Sequence, residues 1–171
     1  MIYSTLLMLC SFVSHDIPDG SLLFVEGGSN AVMTHTNSPY SHVALIFNID
    51  EEPWVYEAVK PVVRKIKLSD YIREIEAENK KRKKLMKLWI KKPKVKINTT
   101  TMLKYLNDQL GRKYSIGSYI TGDPQDKIHC GELTARALIA GKIKVHGNPC
   151  KKTPQGIMNL SRPYYRKARM I

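Results

Sequence analysis

The sequence predicts an α+β fold in a single domain. Segments with strand character fill the first half of the chain, and segments with helix character dominate the second half. The length of 171 residues suits one domain, and 43% hydrophobic residues supply enough apolar surface for a core. We place the domain at residues 19–171. Residues 1–18 are interpreted as an apolar arm or a degraded secretion signal, because no basic residue precedes the apolar run.

Turn signals divide the first half of the chain into short β-rich segments. Strands are predicted at residues 21–26, 42–48, 54–59 and 62–66. The intervening residues 27–40 are interpreted as a loop, and residues 49–53 as a hairpin turn. Residues 84–91 are ambiguous between strand and helix, and the closely following Pro93 favours a strand.

Three helices are predicted, at residues 69–78, 99–110 and 130–140. Ser69 and Asn98 are expected to cap the first two, because their side-chain oxygens can accept backbone N–H groups at a helix start. Gly111 and Gly141 are expected to end the second and third helices. Residues 114–122 are predicted to be irregular.

The strong positive charge indicates what the chain attracts. The 28 Lys and Arg outnumber the 15 Asp and Glu, which gives a net charge of +13 and favours anionic partners. Many cations lie in Lys80 to Lys96, which predicts either a solvated surface or a contact with an anionic membrane or wall polymer. We expect this cluster to be exposed and separate from any catalytic cleft. Nucleic-acid binding interleaves aromatic and basic residues, and only Trp89 does so here, which argues against that partner.

Cys130 is the candidate nucleophile among the three cysteines. The spacing of Cys10, Cys130 and Cys150 matches no zinc or redox motif, so no metal or cofactor is expected. Whether Cys10 and Cys150 form a disulfide stays open. Cys130 opens the third predicted helix, where the dipole lowers a thiol pKa and free amides stabilise an oxyanion. A buried, inert cysteine is the alternative interpretation.

A thiolate nucleophile requires a base and a group that orients the base. His42 opens a strong strand behind Ser41, which fits a site rim, whereas His35 lies in a predicted loop. His129 is expected to point away from Cys130, at the helix entry. Glu57 interrupts an apolar strand, where an unpaired carboxylate is costly, and the hairpin places it diagonally across from the His42 strand. The alternative for Glu57 is an edge-strand carboxylate that faces solvent.

Five segments together resemble a known family: DGSLLFVEGGS, SHVALIF, WVYEAVKPVVRKIKLSDYI, LGRKYSIGSY and HCGELTARAL. They are similar to the YiiX/YaeF-like group of permuted NlpC-type papain-fold peptidases, over residues 19–160. The resemblance implies a circularly permuted papain-like fold, with an antiparallel sheet against which the nucleophile helix packs. It assigns Cys130 as nucleophile, His42 as base and Glu57 as orienting residue. Tyr114 matches a tyrosine that lines such sites.

Two departures from the group concern the walls of the site. Gly131 follows Cys130 where serine is usual, and Ser115 follows Tyr114 where aspartate is usual. The predicted substrate contacts are Tyr114, Ser41 and Gly131. Because both departures change the walls of the site, they are expected to affect the choice of substrate more than the nucleophile.

The function implied by the resemblance is a cysteine hydrolase. It would cleave an amide bond in a peptide, a peptidoglycan stem or a lipid-linked amide through a thioester. The alternatives are a lipid acyl hydrolase or acyltransferase of the lecithin-retinol type, and an inactive binding module. The substrate class favours a bacterial-type envelope or secreted location, with the cytoplasm left open.

Overall fold

The structure is a computed structural model that describes residues 17–171. Almost all of the predicted arm or signal, together with Cys10, lies outside the described residues. Within residues 17–171, no helix combines the length and apolar character needed to cross a bilayer.

Six strands form one antiparallel sheet in the order β4-β3-β2-β1-β5-β6. Their bounds are β1 Ser21–Glu26, β2 Tyr40–Ile49, β3 Glu52–Ala58, β4 Val63–Lys67, β5 Lys87–Lys91 and β6 Arg169–Met170. The first four confirm the predicted strands, and β5 resolves the ambiguous segment as a strand. Asp50 and Glu51 both have positive φ, which gives the two-residue hairpin turn that suits the twist of the flanking strands. The two-residue β6 was not predicted.

Within residues 17–171, six α-helices accompany the sheet: α1 Asn30–Thr36, α2 Leu68–Asn79, α3 Thr99–Gln109, α4 Gly117–Thr121, α5 Cys130–Ala140 and α6 Pro154–Leu160. The three predicted helices are α2, α3 and α5. Asn98 caps α3 as predicted, because its side chain accepts the Thr101 N–H at 3.1 Å. The predicted Ser69 cap is wrong: α2 begins one residue earlier, at Leu68, and its cap position is held by Lys67 without a side-chain hydrogen bond.

The sheet is covered on both faces. One face carries Leu22, Phe24, Val43, Leu45, Phe47 and Tyr56, which join residues of α3, α5 and α6 in the larger core cluster. The other carries Leu23, Val25, Ala44, Ile46 and Val55, which pack with Leu68 and Tyr71 of α2. Because successive strand residues point to opposite faces, the central strands are apolar throughout rather than alternating. The fold is thus α+β, with α5 packed against an antiparallel sheet.

Candidate active site

Cys130 is the first residue of α5 and is 7% exposed. His129 occupies the cap position in extended conformation, and its Nδ1 accepts the Glu132 N–H at 3.4 Å. The first amides of a helix lack intrahelical partners, so they supply positive potential and hydrogen-bond donors beside the Cys130 thiol. The sequence-based position of this cysteine at a helix start is confirmed.

His42 lies between Cys130 and Glu57. The β2–β3 register pairs Leu45 with Tyr56. Continued by one residue, this register sets Glu57 opposite Ala44, so Glu57 lies diagonally across from His42 as predicted. Nε2 of His42 hydrogen-bonds Oε2 of Glu57 at 2.7 Å. Interaction with Cys130 contributes to the raised pKa of His42, which places the imidazole close to the thiol. Glu57 is 2% exposed, so it is a paired buried carboxylate and not an edge residue facing solvent.

The electrostatics of the pair favour a thiolate and an imidazolium. Burial raises the pKa of Cys130, but the charge of His42 and the polar neighbourhood of His129 and His42 outweigh burial and lower this pKa to about 6. Burial likewise opposes the charge on His42, and the Cys130 thiolate together with Glu57 raises its pKa to about 10. Between these values the proton resides on the imidazole, which leaves the sulfur nucleophilic.

Arg64 is a further charged residue of the site, paired with Glu57, and the sequence analysis missed it. Its Nε donates to Oε1 of Glu57 at 2.8 Å, while Nη1 and Nη2 donate to the Glu74 carboxylate at 3.1 and 2.6 Å. Burial raises the pKa of Glu57, but His42 and Arg64 outweigh burial and hold this pKa low. The signal was present in the sequence, because Arg64 lies directly opposite Glu57 in the β3–β4 pairing and opposite charges pair across strands.

His129 lies closer to the nucleophile than expected. The prediction that its ring points away from Cys130 is wrong, since the interaction with His129 contributes to the lowered pKa of the thiol. Nε2 of His129 also donates to the Cys150 carbonyl at 2.9 Å. The ring therefore joins the start of α5 to the turn at residues 149–151 while remaining beside Cys130.

The three predicted substrate contacts have different surroundings. Tyr114 is partly buried, and burial together with the charge of Cys130 raises its pKa to about 12, so the phenol lies within electrostatic range of the nucleophile. Ser41 is buried, and its hydroxyl accepts the Gly28 N–H at 3.1 Å and donates to the Val25 carbonyl at 3.4 Å. Its hydrogen bonds therefore serve the backbone, and they give no support to the predicted contact with substrate.

Gly131 packs against the backbone of a neighbouring segment. A Cβ at this position would lie 1.9 Å from the carbonyl oxygen of Lys152, which no side chain could tolerate without movement of the chain. This close approach explains why serine is absent here. Ser115, the second departure, uses its hydroxyl to accept the Gly117 N–H at 3.0 Å, at the start of α4.

His35 is not part of the group formed by Cys130, His42 and Glu57. It belongs to α1 rather than to a loop, and its ring lies edge-on to Tyr119 with centroids 5.5 Å apart. Tyr119 in turn meets the ring of His129 at 5.9 Å. Among residues 17–171, no group of three or more His, Cys, Asp or Glu side chains is placed to hold a metal ion.

The sequence model of a family described as "permuted papain-like amidase enzyme, YaeF/YiiX, C92 family" matches residues 16–153. The chain belongs to this family. A solved structure with a similar fold is that of "metalloprotein yiiX from Escherichia coli O157:H7", with a TM-score of 0.62 and 17% identity, covering 91% of this chain and 96% of that chain. No curated protein matches the chain. Membership of the YaeF/YiiX family confirms the permuted papain-like fold, in which the strand of the histidine precedes the helix of the cysteine.

The family also fixes the broad chemical class of the protein. YaeF/YiiX members are described as papain-like amidases, and papain-like amidases are cysteine hydrolases. The arrangement of a thiol at a helix start, an imidazole and a buried carboxylate is the one that acyl transfer by a thiolate requires.

Proposed function

We propose that the chain hydrolyses an amide bond through a thioester on Cys130. The observation that carries this proposal is the position of the His42 imidazole, whose Nε2 hydrogen-bonds Glu57 at 2.7 Å and whose pKa is raised by the nearby Cys130 thiol. A ring held in this way can carry the proton of the thiol and return it to a leaving group. Glu57 fixes the ring orientation and favours its protonated form.

The reaction follows from the positions of these groups. The Cys130 thiolate attacks the carbonyl carbon of the amide, and N–H groups at the start of α5 stabilise the oxyanion that forms. The His42 imidazolium then protonates the amine as the carbon–nitrogen bond breaks, which leaves the acyl group on sulfur. Neutral His42 next removes a proton from water, whose oxygen attacks the thioester. Collapse of the second oxyanion releases the carboxylic acid, and the thiolate is restored.

The substrate class we propose is an amide in a peptide, a peptidoglycan stem or a lipid-linked chain. The amidase description of the family supports the amide bond. Tyr114, whose pKa is raised in part by the charge of Cys130, is proposed to line the acyl-binding wall. The structural neighbour YiiX is described as a metalloprotein. Because residues 17–171 of this chain offer no group of three metal-ligating side chains, no step of the proposed reaction passes through a metal.

The proposal is tested by trapping the thioester. The chain is incubated with a peptide amide, a muropeptide, an N-acyl lipid amide and a phospholipid, quenched in acid, and digested for mass spectrometry. We expect an acyl adduct on the Cys130 peptide with at least one amide, and none in Cys130→Ala. Cys150→Ala is the matched control, which should retain the adduct.

The other outcomes assign the alternatives. An adduct from the phospholipid alone would replace the amidase with a lipid acyl hydrolase or acyltransferase. Absence of adduct and of turnover with every substrate, together with a Cys130 no more reactive than Cys150, would indicate a binding module and contradict the proposal.

A further inference from the structure

Residues 80–86 form a closed loop between α2 and β5, named here the basic loop. Asn79 fastens its two ends, because its Nδ2 donates to the Met86 carbonyl at 3.0 Å and its Oδ1 accepts the Met86 N–H at 2.7 Å. Lys81, Arg82, Lys83, Lys84 and Leu85 are exposed. The loop is therefore a fixed projection that presents several cations together.

The basic loop packs beside the strand that carries His42. Nη1 of Arg82 donates to the Gly28 carbonyl at 2.8 Å, and the Gly28 N–H donates to the hydroxyl of Ser41, the residue before His42. Gly27 has φ +81, and a Cβ there would lie 2.9 Å from the Leu85 carbonyl oxygen. The loop therefore adjoins the start of the strand that carries His42, and its separation from the catalytic cleft itself stays a prediction. The prediction that the whole cluster Lys80 to Lys96 is exposed is wrong, since Lys91 is buried.

The charge of the basic loop is largely unneutralised. The sequence contains no aspartate or glutamate between residues 79 and 96. Lys81 pairs with Glu78 at 3.1 Å. In the part of the chain that the structure describes, Lys83 and Lys84 have no acidic partner. The adjacent Leu85 is 59% exposed, so an apolar side chain projects from the same loop as two free ammonium groups.

We propose that the basic loop docks on the surface of an anionic lipid bilayer. Lysines contact the headgroups while an exposed leucine enters the boundary between headgroups and acyl chains, the combination by which interfacial segments bind membranes. A soluble polyanion would use the lysines and leave Leu85 without a role, so the leucine favours a bilayer. Because the loop adjoins the His42 strand through Gly28, docking would hold the site of Cys130 near the lipid surface.

The test measures binding of the full chain to vesicles, with no turnover involved. Sedimentation is compared between phosphatidylcholine vesicles with and without phosphatidylserine, at low and high salt. We expect binding only with phosphatidylserine, weakened by salt because exposed charges are screened. Each lysine near an anionic surface is worth about fivefold in affinity, so Lys83→Gln with Lys84→Gln should weaken binding roughly 10- to 30-fold. Leu85→Ser should weaken it by about threefold or more.

The matched control removes the same charge elsewhere. Lys142 and Lys144 are exposed beyond the far end of α5 from Cys130, so Lys142→Gln with Lys144→Gln should leave binding almost unchanged. An equal loss in the control would indicate general charge and overturn the proposal. Binding unaffected by Leu85→Ser and matched by inorganic polyphosphate would assign the loop to a soluble polyanion instead. Equal binding to vesicles with and without phosphatidylserine would also refute the docking proposal.

The docking proposal and the proposed reaction can fail separately. The vesicle measurement is repeated with Cys130→Ala, which we expect to bind as the native chain does. Loss of docking with the thioester intact would remove only the role of the basic loop. Docking without any thioester would leave a membrane-binding protein and contradict the amidase.

Discussion

Replacing His42 with alanine should abolish the high reactivity of Cys130. With a pKa of about 6, the Cys130 thiol is about half ionised at pH 6. An ordinary thiol with a pKa of about 8.5 is then ionised to only about 0.3%. This difference favours Cys130 by roughly 150-fold, and the weaker nucleophilicity of a low-pKa thiolate reduces the advantage to roughly tenfold. His42→Ala removes the largest favourable contribution while burial remains, so the labelling rate should fall by about tenfold or more.

The assay is labelling with limiting iodoacetamide at a series of pH values from about 5 to about 9. Labelling is quantified by mass spectrometry of the cysteine peptides. The wild-type Cys130 rate should reach half its maximum near the pKa of about 6. Cys150 is the internal reference, because it is 1% exposed and burial together with Glu132 raises its pKa. Glu57→Gln should reduce the Cys130 rate less than His42→Ala. A Cys130 profile that rises only near pH 8.5, or one that His42→Ala leaves unchanged, would refute the reasoning.

Three further predictions concern the pH dependence of turnover, the role of Arg64 and the packing around Gly131. Amide turnover should follow a bell-shaped pH profile with limbs near the pKa values of nucleophile and base, about 6 and about 10, and a single limb near pH 8.5 would contradict the ion pair. Arg64→Ala should raise the pKa of Glu57, move the acid limb of the profile to higher pH and lower kcat/KM by about tenfold. Arg64→Lys should restore part of the activity, and Glu74→Gln should have a smaller effect. A pH profile that Arg64→Ala leaves unchanged would assign Arg64 a purely structural role. Gly131→Ser should cost about 1–3 kcal/mol or more of unfolding free energy, because its Cβ meets the Lys152 carbonyl oxygen at 1.9 Å, and an unchanged melting temperature would show that the chain yields there.

The parts of the site that sequence alone predicted depend on local pairing. A two-residue turn joins β2 and β3, so the register that brings Glu57 near His42 follows from the hairpin itself. The start of α5 at Cys130 was readable from the change in pattern and from Gly141 at its end. Arg64 could have been predicted by the same cross-strand reasoning applied to β4.

The parts that the sequence did not predict depend on distant contacts. The helices α1, α4 and α6 have five to seven residues, too few for a clear hydrophobic period. Their supporting contacts join remote segments: Ser38 donates to Gln155 at 3.1 Å, and Ser118 donates to Glu132 at 2.5 Å. The position of His129 beside the thiol likewise depends on the Cys150 carbonyl, whose location no local pattern reveals.

The departure at Gly131 shows how one wall of the site is built. Papain-like sites are defined by the placement of their groups and not by their order in the chain, so a permuted chain needs its own means of holding the start of the nucleophile helix. Here the segment at residues 150–152 holds it twice: the Cys150 carbonyl accepts a hydrogen bond from His129, and the Lys152 carbonyl packs against Gly131. The Lys152 carbonyl therefore occupies the space that a side chain at position 131 would need, so the glycine and the neighbouring backbone fit each other, and the start of α5 is held by this close packing together with the His129 hydrogen bond.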